Sequence, residues 1–507
     1  METITKINDA VNSFIWGKGV WLLIATGVLM TILTKFFQVS HLGLWWKNTF
    51  GKMFRRKSDG NDKKAISAFQ ALCTALAATV GTGNIAGVST AIVVGGAGAV
   101  FWMWVAAFIG MVTKYSEIVL GMYYRRKNPE GEWSGGAMYY LQDGLGGYKY
   151  MKWVGKVLAI VFAVFAMLAS FGIGSMSQVN AIVLNVEEAF PISALTDIKI
   201  LGESNLYRLI LGTVVMILVA LIVIGGLKRI ASVTEKIVPF MIIIFIVGSI
   251  TIIGVNYANI IPAFKAIVVN AFKPVAALGG GIGFVISTVM TQGFKRGVFS
   301  NEAGLGSAVM VHASSEEKEP VKQGMWGIYE VFTDTIIVCS MTALVILTSG
   351  VYNLDTAASL EGSSGATLVA AAFNTLLPWG GIGAKFVAIA MFLFAFTTVI
   401  GWSQYGAKAW EYVFGSRTTI VFKIIHVATT VLGAILTSSL AWDISDTFNG
   451  MMMIPNLIGL LAMSGLIMKI TKNYIDRTKR GIDAAPLLSY SPIIQAEQEK
   501  KLSEKDN

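Results

Sequence analysis

The stretch Ala77-Ala78-Thr79-Val80-Gly81-Thr82-Gly83-Asn84-Ile85-Ala86-Gly87 lies in the middle of an apolar segment over residues 65–95. Two glycines on either side of a threonine, followed by an asparagine, disfavour a continuous helix at that point. Unwound backbone persists inside a bilayer only where it is buried in protein or lines a cavity. The stretch therefore indicates a broken helix at a binding site, and a small-residue packing face between helices is an equally good interpretation.

The composition of the chain is that of a membrane protein. Of its 507 residues, 54% are hydrophobic and only 14% are charged, whereas a soluble chain is about one quarter charged. Apolar runs of about 20 residues recur along the chain, and each is long enough to cross a hydrocarbon core of about 30 Å. The alternating ten-residue segments of a membrane barrel do not occur. We therefore expect an all-α polytopic membrane protein.

Eleven apolar spans are predicted from the hydropathy of the chain. They cover residues 14–36, 65–95, 98–124, 153–185, 206–227, 232–256, 280–312, 323–349, 383–410, 418–437 and 444–470. The loop 37–64 is far more basic than the N-terminal flank, which by the positive-inside rule places the N-terminus outside the cell. Alternation then puts the strongly basic loops and the C-terminus in the cytoplasm. The net charge of +10 is thus explained by topology and not by nucleic-acid binding.

Three segments fall outside these spans. Residues 257–278 and 366–380 are apolar but contain prolines, and we expect short external helices there. Residues 471–507 are polar and charged, and we expect them to form a solvated or disordered tail.

The seventh span, 280–312, is also interrupted by glycine and is polar in its middle. It contains the run Ser300-Asn301-Glu302-Ala303-Gly304-Leu305-Gly306-Ser307-Ala308. With the first span set apart, the two interrupted spans are helices 1 and 6 of two five-helix halves that enter the membrane from opposite sides. This arrangement predicts an inverted repeat with a binding site at its interface. Lys295, Arg296 and Glu302 should pair with one another or line water, unless this stretch lies nearer a membrane surface.

Polar side chains in two other spans are candidates for the same site. In the ninth span, Thr397 and Thr398 lie at mid-depth, and Trp402 follows Thr398 by one turn on the same face. Hydroxyl oxygens suit a small hard cation and the indole offers an apolar wall, whereas bonding back to a carbonyl one turn earlier is the structural alternative. Gln178, in the fourth span, is costly in lipid and should face the bundle, either as a ligand or in a bond between helices.

Ionisable residues within the predicted spans have structural as well as functional interpretations. Asp334 lies near the middle of the eighth span, where it could coordinate a cation, carry a proton or neutralise Lys295 or Arg296. Pairing with one of these cations is the role that we expect, because both need a partner. Lys114 and Glu117 are three residues apart, and we expect them to form a structural pair.

The remaining chemistry-bearing residues argue against several function classes. The two cysteines, Cys73 and Cys339, fall inside predicted helices and are expected to be reduced thiols. The three histidines lack metal-ligand spacing, so we expect neither a transition-metal site nor an enzyme. No nucleotide-binding loop is present, and ATP-driven transport would need a separate subunit. An ion channel remains an alternative, although a channel commonly has few spans in each of several symmetric subunits.

The two motifs at residues 81–87 and 300–308 closely resemble those of the alanine-or-glycine:cation symporter family, which includes the sodium:alanine symporters. The similarity extends over residues 14–470. It implies a LeuT-like 5+5 inverted repeat with broken core helices 1 and 6, preceded by one extra N-terminal helix. It also implies sodium coupling and alanine or glycine as substrate, although some members carry other neutral amino acids such as glutamine.

The resemblance also implies sodium ligands, because residues 80–84 are similar to the unwound first helix of neurotransmitter:sodium symporters. By that likeness the carbonyls of Ala77 and Val80 meet one Na⁺, and the Thr79 carbonyl and the Asn84 amide meet another near the substrate. The predicted sodium-binding residues are Ala77, Thr79, Val80, Asn84, Thr397 and Thr398. No cofactor other than Na⁺ as coupling ion is expected.

The substrate site is expected between the two broken helices. Unpaired N–H groups at Thr82 and Gly83 would hold the carboxylate of the amino acid, and carbonyls near Gly297 and Ser300 would hold its ammonium group. Gln178 and Trp402 would bound its side chain. The predicted substrate-binding residues are Thr82, Gly83, Gln178, Gly297, Phe299, Ser300 and Trp402.

The chain is therefore predicted to be a sodium-coupled symporter of a small neutral amino acid, in the plasma membrane of a prokaryote. Proton coupling and a preference for glutamine are the alternatives. The expected partners are the amino acid, Na⁺ and the lipid bilayer, without nucleic acid or an ATPase subunit. Residues 1–64 would form the extra N-terminal helix and a basic loop, 65–256 the first repeat, 257–470 the second repeat, and 471–507 a cytoplasmic tail.

Overall fold

The computed structural model describes residues 2–53, 64–201, 204–273, 282–354, 356, 358–359, 365–375, 381–436 and 439–506. Most of these residues are helical, as predicted. The α-helices of the first half are α1 (Glu2–Phe14), α2 (Val20–Leu33), α3 (Phe37–Ser40), α4 (Leu42–Asn48), α5 (Phe50–Met53), α6 (Ala68–Thr79), α7 (Val88–Gly95), α8 (Gly98–Tyr123), α9 (Ala137–Tyr139), α10 (Lys152–Phe171), α11 (Ser177–Ala189), α12 (Ser193–Thr196), α13 (Leu206–Val223) and α14 (Gly226–Val255). Those of the second half are α15 (Ile260–Asn270), α16 (Ile282–Asn301), α17 (Val309–His312), α18 (Pro320–Val331), α19 (Ser340–Thr348), α20 (Gly365–Asn374), α21 (Ile382–Phe414), α22 (Thr419–Ile435), α23 (Ser439–Ala462), α24 (Ser464–Lys479) and α25 (Pro492–Asp506).

Short elements interrupt or connect these helices. The π-helical turns are Ile15–Gly19, Gly83–Gly87, Tyr140–Gly144, Gly172–Met176 and Phe332–Cys339, and the 3₁₀ turns are Leu145–Gly147, Tyr257–Asn259 and Ser416–Thr418. The strands form antiparallel hairpins that pair β1 (Arg126–Lys127) with β2 (Trp133–Ser134), β3 (Lys199–Leu201) with β4 (Ser204–Asn205), and β5 (Tyr352–Asn353) with β6 (Ala358–Ser359). π-Helical turns are frequent at functional sites. The turns at Gly83–Gly87 and Phe332–Cys339 are therefore candidate parts of a functional site.

Eight helical segments of the described chain are long and apolar enough to cross a membrane, and two bent pairs bring the number to ten. The eight are Lys6–Leu33, Gly98–Tyr123, Lys152–Ala189, Leu206–Val223, Gly226–Val255, Pro320–Thr348, Ile382–Phe414 and Ser416–Ile435. The bent pairs are Ala68–Thr79 with Gly83–Gly95, and Asp446–Ala462 with Ser464–Lys479. Each overlaps a predicted span. The predicted seventh span begins outside the described residues, so the count of eleven stays a prediction.

Helix α6 is the first half of the predicted broken span. Its start is fixed by a capping box, in which the Ser67 hydroxyl accepts from the Gln70 N–H at 3.1 Å and the Gln70 side chain accepts from the Ser67 N–H at 3.1 Å. The helix ends at Thr79, and the chain bends by 54° before α7. The break predicted around Gly81 and Gly83 is therefore confirmed.

Helix α8 lies at the centre of the bundle and packs against α16 and α18. The close approach depends on glycines of its partners. A Cβ added to Gly327 of α18 would lie 2.4 Å from Ile118 Cδ1, and one added to Gly293 of α16 would lie 2.5 Å from the Ala99 carbonyl oxygen. The high glycine content of the chain thus serves helix packing, as in many membrane bundles.

The apolar segments between the spans form short helices, as predicted. Helix α15 contains Pro262 and belongs to the segment 257–278, and α20 belongs to the segment 366–380. Pro274 and Pro378, which also suggested these breaks, lie outside the described residues.

The C-terminal tail differs from the prediction. Helix α24 continues to Lys479, and α25 follows at Pro492–Asp506. The Arg477 guanidinium donates to both oxygens of the Glu319 carboxylate at 2.8 and 2.9 Å, and the Tyr490 hydroxyl donates to Asp143 Oδ2 at 2.9 Å. The expectation of a disordered tail is wrong, because Arg477 and Tyr490 bond to residues that are distant in sequence. Residues 480–485 are exposed, as expected for a solvated tail.

Candidate functional site

The candidate site begins where α6 ends. The Gly81 N–H donates to the side-chain oxygen of Asn84 at 2.9 Å, and the Asn84 N–H donates to the Gly81 carbonyl at 3.2 Å. These two bonds close a tight turn over Gly81–Asn84 in place of regular helix. Ala77 and Val80, whose carbonyls were predicted sodium ligands, are completely buried beside it.

One polar atom at this turn lacks a partner. The Thr82 side chain is 1% exposed, and its hydroxyl has no hydrogen bond to any described residue. The Thr79 hydroxyl, in contrast, donates to the Ala75 carbonyl at 3.2 Å. A buried hydroxyl without a hydrogen-bond partner makes an unfavourable contribution to the free energy of the folded protein. A ligand that bonds to the Thr82 hydroxyl would remove this contribution.

Gln178 and Thr398 approach the turn from two other helices, α11 and α21. The Gln178 side-chain oxygen accepts from the Thr82 N–H at 3.4 Å, and its amide donates to the Ile173 carbonyl at 3.0 Å. A Cβ added to Gly81 would lie 2.4 Å from the Thr398 hydroxyl oxygen. Three helices that are distant in sequence therefore meet at Gly81.

The two threonines of α21 bond back to carbonyls of their own helix, as the structural alternative predicted. The Thr398 hydroxyl donates to the Phe394 carbonyl at 2.9 Å, and the Thr397 hydroxyl donates to Leu393 and Phe394 carbonyls at 3.0 Å. Donation of its proton leaves lone pairs on the Thr398 oxygen that are available to a cation. Thr397 also contacts the Met241 sulfur at 3.4 Å, on the side of α14.

Asp334 is a part of this region that the sequence did not place in the site. It is completely buried in the π-helical turn Phe332–Cys339. Its carboxylate accepts from the Asn84 side-chain amide at 2.7 Å and from the Ser300 and Thr335 hydroxyls at 2.8 Å each. The sequence does show a carboxylate at the middle of a span, but we expected Asp334 to neutralise Lys295 or Arg296.

The predicted pairing of Asp334 with Lys295 or Arg296 is wrong. The Lys295 ammonium lies 2.7 Å from the Asp446 carboxylate, which α23 contributes. All three side-chain donors to Asp334 are neutral groups. The carboxylate therefore brings a negative charge, without a direct ion pair among the described residues, to the side of Asn84 that faces away from the turn.

Thr342 was also missed. Its hydroxyl donates to the Asn84 carbonyl at 2.7 Å, so α19 supports the turn from the far side. A single threonine in an apolar span has no pattern that distinguishes it from one that bonds only to its own helix.

The break in the second interrupted span lies later than predicted. Helix α16 continues through Gly297 and Ser300 to Asn301, and the irregular segment follows, with positive φ of 56° at Glu302, 92° at Gly304 and 74° at Gly306. The carbonyls near Gly297 are thus within regular helix. Gly297 serves packing instead, because an added Cβ would lie 3.2 Å from Ala106 Cβ.

Phe299 and Trp402 lie on different sides of the turn. The Phe299 ring packs over Gly83, where an added Cβ would lie 3.3 Å from it. Trp402 is 1% exposed and lies against Gly174, where an added Cβ would be 2.4 Å from Trp402 Cβ. Its ring centroid is 5.4 Å from that of Tyr405. The indole is thus surrounded by protein.

A cavity of about 290 Å³ reaches the turn. It is lined by Thr82, Gly83, Ala86, Gly87, Thr90, Lys295, Arg296, Phe299 and Asp446. Three predicted substrate-binding residues therefore share one cavity, and the Lys295–Asp446 ion pair forms part of its wall. A larger cavity of about 480 Å³, between the β1–β2 hairpin and the end of α21, contains none of the predicted site residues.

The chemistry of the donors at the turn is that of hard oxygen ligands. In the part of the chain that the structure describes, no group of three or more His, Cys, Asp or Glu side chains is arranged to hold a metal ion. Cys73 and Cys339 are buried and free, as predicted. Carbonyl, hydroxyl and amide oxygens suit Na⁺ and not a transition metal.

The chain is similar to known proteins over most of its length. The family model described as the sodium:alanine symporter family matches residues 1–487. The sodium/alanine symporter AgcS of Methanococcus maripaludis is 42% identical over 475 residues, which cover 94% of this chain and 98% of that protein. The putative sodium/proton-dependent alanine carrier protein YrbD of Bacillus subtilis is 37% identical over 486 residues, 94% of this chain and 93% of that protein.

The fold has a solved counterpart. The crystal structure of MhsT in complex with L-phenylalanine superposes with a TM-score of 0.53 at 15% identity, over 81% of this chain and 99% of that one. At this identity the likeness concerns the fold alone, which is the LeuT-like fold that the sequence predicted.

Proposed function

The chain belongs to the sodium:alanine symporter family, and on that premise we propose that it carries a small neutral amino acid together with Na⁺. The relatives named above are a symporter and a carrier protein, so the chain is a multi-pass membrane transporter and not an enzyme. Its membrane is proposed to be the plasma membrane of a prokaryotic cell. Transport proceeds by alternating access to a site between the two broken helices.

The observation that carries this proposal is the unpartnered hydroxyl of Thr82, which is buried at the end of a cavity. The carboxylate of the amino acid would accept hydrogen bonds from this hydroxyl and from the adjacent Gly83 N–H. The Thr82 N–H, which was predicted to be unpaired, instead donates to the Gln178 side-chain oxygen at 3.4 Å. Phe299, which packs over Gly83, would cover the bound substrate. The cavity of about 290 Å³ suits a small amino acid better than a long one.

The ammonium group and the side chain of the substrate have proposed partners on the other helices. Ser300, whose Cα would lie 3.4 Å from a Cβ added to Gly83, and the Gln178 side-chain oxygen, which accepts from the Thr82 N–H, are the polar groups that we assign to this role. The Gly297 carbonyl lies within regular helix, so we do not assign it to the ammonium group. The proposed role of Gly297 is to let α16 pack against α8. Trp402, which was predicted to bound the side-chain end, does not line this cavity and is buried against Gly174 and Tyr405, so it is left out of the proposed substrate site.

Sodium is proposed to bind on either side of Gly81. One ion would meet the carbonyls of Ala77 and Val80 with the hydroxyls of Thr397 and Thr398. The other would meet the Thr79 carbonyl and the Asn84 side-chain oxygen, which keeps a second lone pair beside the bond from Gly81. We add that the charge of Asp334, bonded to the Asn84 amide, favours a cation there.

The architecture is proposed to contain eleven spans, with the N-terminus outside and the C-terminus in the cytoplasm. Residues 1–64 supply the extra helix and a basic loop, 65–256 the first repeat, 257–470 the inverted second repeat, and 471–507 a cytoplasmic tail. The bend of 54° between α6 and α7, and the irregular segment after α16, support this assignment because they occupy equivalent places in the two halves.

Two alternatives share this site. Proton coupling is suggested by the name of the Bacillus subtilis relative, a putative sodium/proton-dependent carrier, and by the burial of Asp334. A preference for glutamine is suggested by the family resemblance. The amide of glutamine would need a polar partner in the cavity, and Thr90 is a neutral polar residue that lines it.

Counterflow in proteoliposomes tests the function. Purified protein is reconstituted, loaded with unlabelled alanine, and exposed to labelled alanine, glycine, glutamine, lysine or glutamate, with Na⁺ or with K⁺. We expect exchange of alanine or glycine that requires Na⁺. Exchange that is equal in K⁺ and collapses with the pH gradient would support proton coupling instead, and exchange of lysine as fast as that of alanine would refute the substrate assignment.

A further inference from the structure

A second polar cluster borders the proposed substrate site. It consists of Lys114 and Glu117 on α8, Glu302 after α16, His312 on α17 and Glu330 on α18. All five side chains are at most 2% exposed. Buried ionisable groups at membrane depth are expensive and commonly mark an ion or proton pathway.

Both ring nitrogens of His312 are hydrogen-bonded within the cluster. The Ser315 hydroxyl donates to the Gln323 side-chain oxygen at 2.8 Å, and the Gln323 amide nitrogen lies 2.7 Å from His312 Nδ1. His312 Nε2 lies 3.0 Å from one carboxylate oxygen of Glu330. Both side chains are therefore held in place by polar partners.

The remaining charges do not balance. The Lys114 ammonium lies 3.0 Å from the other oxygen of Glu330, and not on Glu117, so the predicted Lys114–Glu117 pair is wrong. Lys114 is the one cation that acts on both Glu117 and Glu302 within the described residues. With Glu330 compensated by Lys114, the carboxyls of Glu117 and Glu302 carry excess negative charge when both are ionised. Such a state is strongly disfavoured away from water.

Glu117 has the more exceptional surroundings of the two. Its Oε1 atom accepts from the Gly306 N–H at 3.1 Å and from the Asn456 side-chain amide at 2.6 Å. Its Oε2 atom is buried and has no hydrogen-bond partner among the described residues. The titratable groups that face it are Lys114 of its own helix and the Tyr140 phenol. Glu302, in comparison, accepts a bond from the Ser307 hydroxyl.

We propose that the Glu117 carboxyl is a proton-binding site, with the proton on Oε2, and that its occupancy controls the irregular segment after α16. The inference rests on the proposed transport function and adds a proton site to it. Binding forms one O–H bond on Oε2 with a proton from water, and release returns that proton to water; no other bond changes.

The link to conformation runs through Oε1. Gly306 has a positive φ of 74°, and the Asn456 amide that bonds Glu117 also donates to the Gly304 carbonyl at 2.8 Å. A carboxylate accepts stronger hydrogen bonds than a neutral carboxylic acid does. Protonation of Glu117 therefore weakens the hydrogen bonds that connect α8 with the segment 304–306 and with α23, and deprotonation strengthens them.

Glu117→Gln tests the proposal, because glutamine keeps an acceptor toward Gly306 and Asn456 but does not titrate. Infrared difference spectra of the purified protein are recorded during an acid titration. We expect a carbonyl band of a protonated carboxylic acid in the parent that is absent in Glu117→Gln. The control Glu188→Gln, an exposed glutamate of α11, should keep the band. A band that persists unchanged in Glu117→Gln would overturn the proposal.

Transport gives the second readout. With a fixed Na⁺ gradient and equal pH on both sides, alanine uptake by the parent should change severalfold as the pH is varied, and uptake by Glu117→Gln should be independent of pH. Glu117→Asp, which keeps a titratable group, should restore the dependence with a displaced midpoint. A profile of either variant that matches the parent would contradict the inference. If the parent shows no Na⁺-driven uptake, the proposed function fails, and the infrared titration still decides the proton site.

Discussion

The side-chain amide of Asn84 donates a hydrogen bond of 2.7 Å to the carboxylate of Asp334. Asn84 belongs to the break between α6 and α7, and Asp334 to a π-helical turn 250 residues later in the chain. The oxygen of the same amide accepts from the Gly81 N–H. One side chain thus connects the turn at the proposed sodium sites with a buried negative charge in the other half of the protein.

Asp334→Asn should weaken the binding of Na⁺ without unfolding the protein. Asparagine keeps one acceptor for the Asn84 amide and can exchange hydrogen bonds with the Ser300 and Thr335 hydroxyls, so the loss is mainly one of charge. We expect the lost attraction between the carboxylate and the ion to raise the Na⁺ concentration for half-maximal uptake about tenfold, which corresponds to about 1.4 kcal/mol. The measurement is alanine uptake as a function of Na⁺ concentration.

The matched control for this variant is Thr335→Val. It removes one hydrogen bond to Asp334 and leaves the charge in place. Its dependence on Na⁺ should change less than that of Asp334→Asn. Equal effects of the two variants would show that the hydrogen-bond network, and not the charge, supports uptake.

Thr82→Ala should separate ligand binding from stability. The Thr82 hydroxyl makes no hydrogen bond within the described protein, so its loss removes no internal contact. We expect an unchanged melting temperature in detergent and an alanine affinity that is lower by about 1 kcal/mol or more. Thr82→Ser, which keeps the hydroxyl, should bind alanine nearly as the parent does. A destabilised Thr82→Ala with unchanged affinity would assign the threonine to packing.

Gly81→Ala should disrupt the meeting point of α6 and α21. The added methyl group would lie 2.4 Å from the Thr398 hydroxyl oxygen and 3.3 Å from Thr398 Cβ. One of the two helices must shift, and we expect a loss of Na⁺-driven uptake. The double variant Gly81→Ala/Thr398→Ala removes the closest atom and should recover thermal stability, which is compared with that of each single variant. An uptake rate of Gly81→Ala equal to the parent would contradict this contact.

Local chemistry made the first break predictable from the sequence. Gly81, Gly83 and Asn84 disfavour helix by themselves, and no distant residue is needed to infer it. The second break could not be located in the same way. Gly297 has the appearance of a helix breaker, but it is a packing residue against α8, while the true break contains positive φ at Glu302, Gly304 and Gly306.

The partners of the buried charges were not predictable, because they are tertiary. Lys114 pairs with Glu330, which lies 216 residues later and not one turn away on its own helix. Asp446, the partner of Lys295, gave no signal in the sequence as a member of the site. The proximity of two charges in a chain of packed helices depends on helix rotation and depth, neither of which hydropathy defines.

Trp402→Ala now has a different expectation from the one that its spacing suggested. Its place one turn after Thr398 predicts a pocket wall, whose loss would change selectivity more than folding. The structure surrounds the indole with protein, against Gly174 and Tyr405, and leaves it 1% exposed. Loss of a packed indole costs about 3–5 kcal/mol, so a markedly lower melting temperature is expected. Uptake competition by larger neutral amino acids, at preserved stability, would restore the pocket-wall assignment.

Arg477→Ala should destabilise the attachment of the C-terminal tail in a pH-dependent way. Burial raises the pKa of the Glu319 carboxyl above its ordinary value, and the Arg477 guanidinium opposes that rise. Without Arg477 the carboxylate is left buried and unpaired at neutral pH, which costs about 1–3 kcal/mol. Because a raised folded-state pKa favours the protonated form, this loss is full at neutral pH and shrinks as the pH falls through the raised pKa. Melting temperatures of the variant and the parent should therefore converge in acid. Arg480→Ala is the control, because the Arg480 side chain that pairs with Asp476 is largely exposed, and its melting temperature should differ little from that of the parent at any pH. If the melting temperature of Arg477→Ala stays below that of the parent by the same amount at every pH, Glu319 is excluded as the cause.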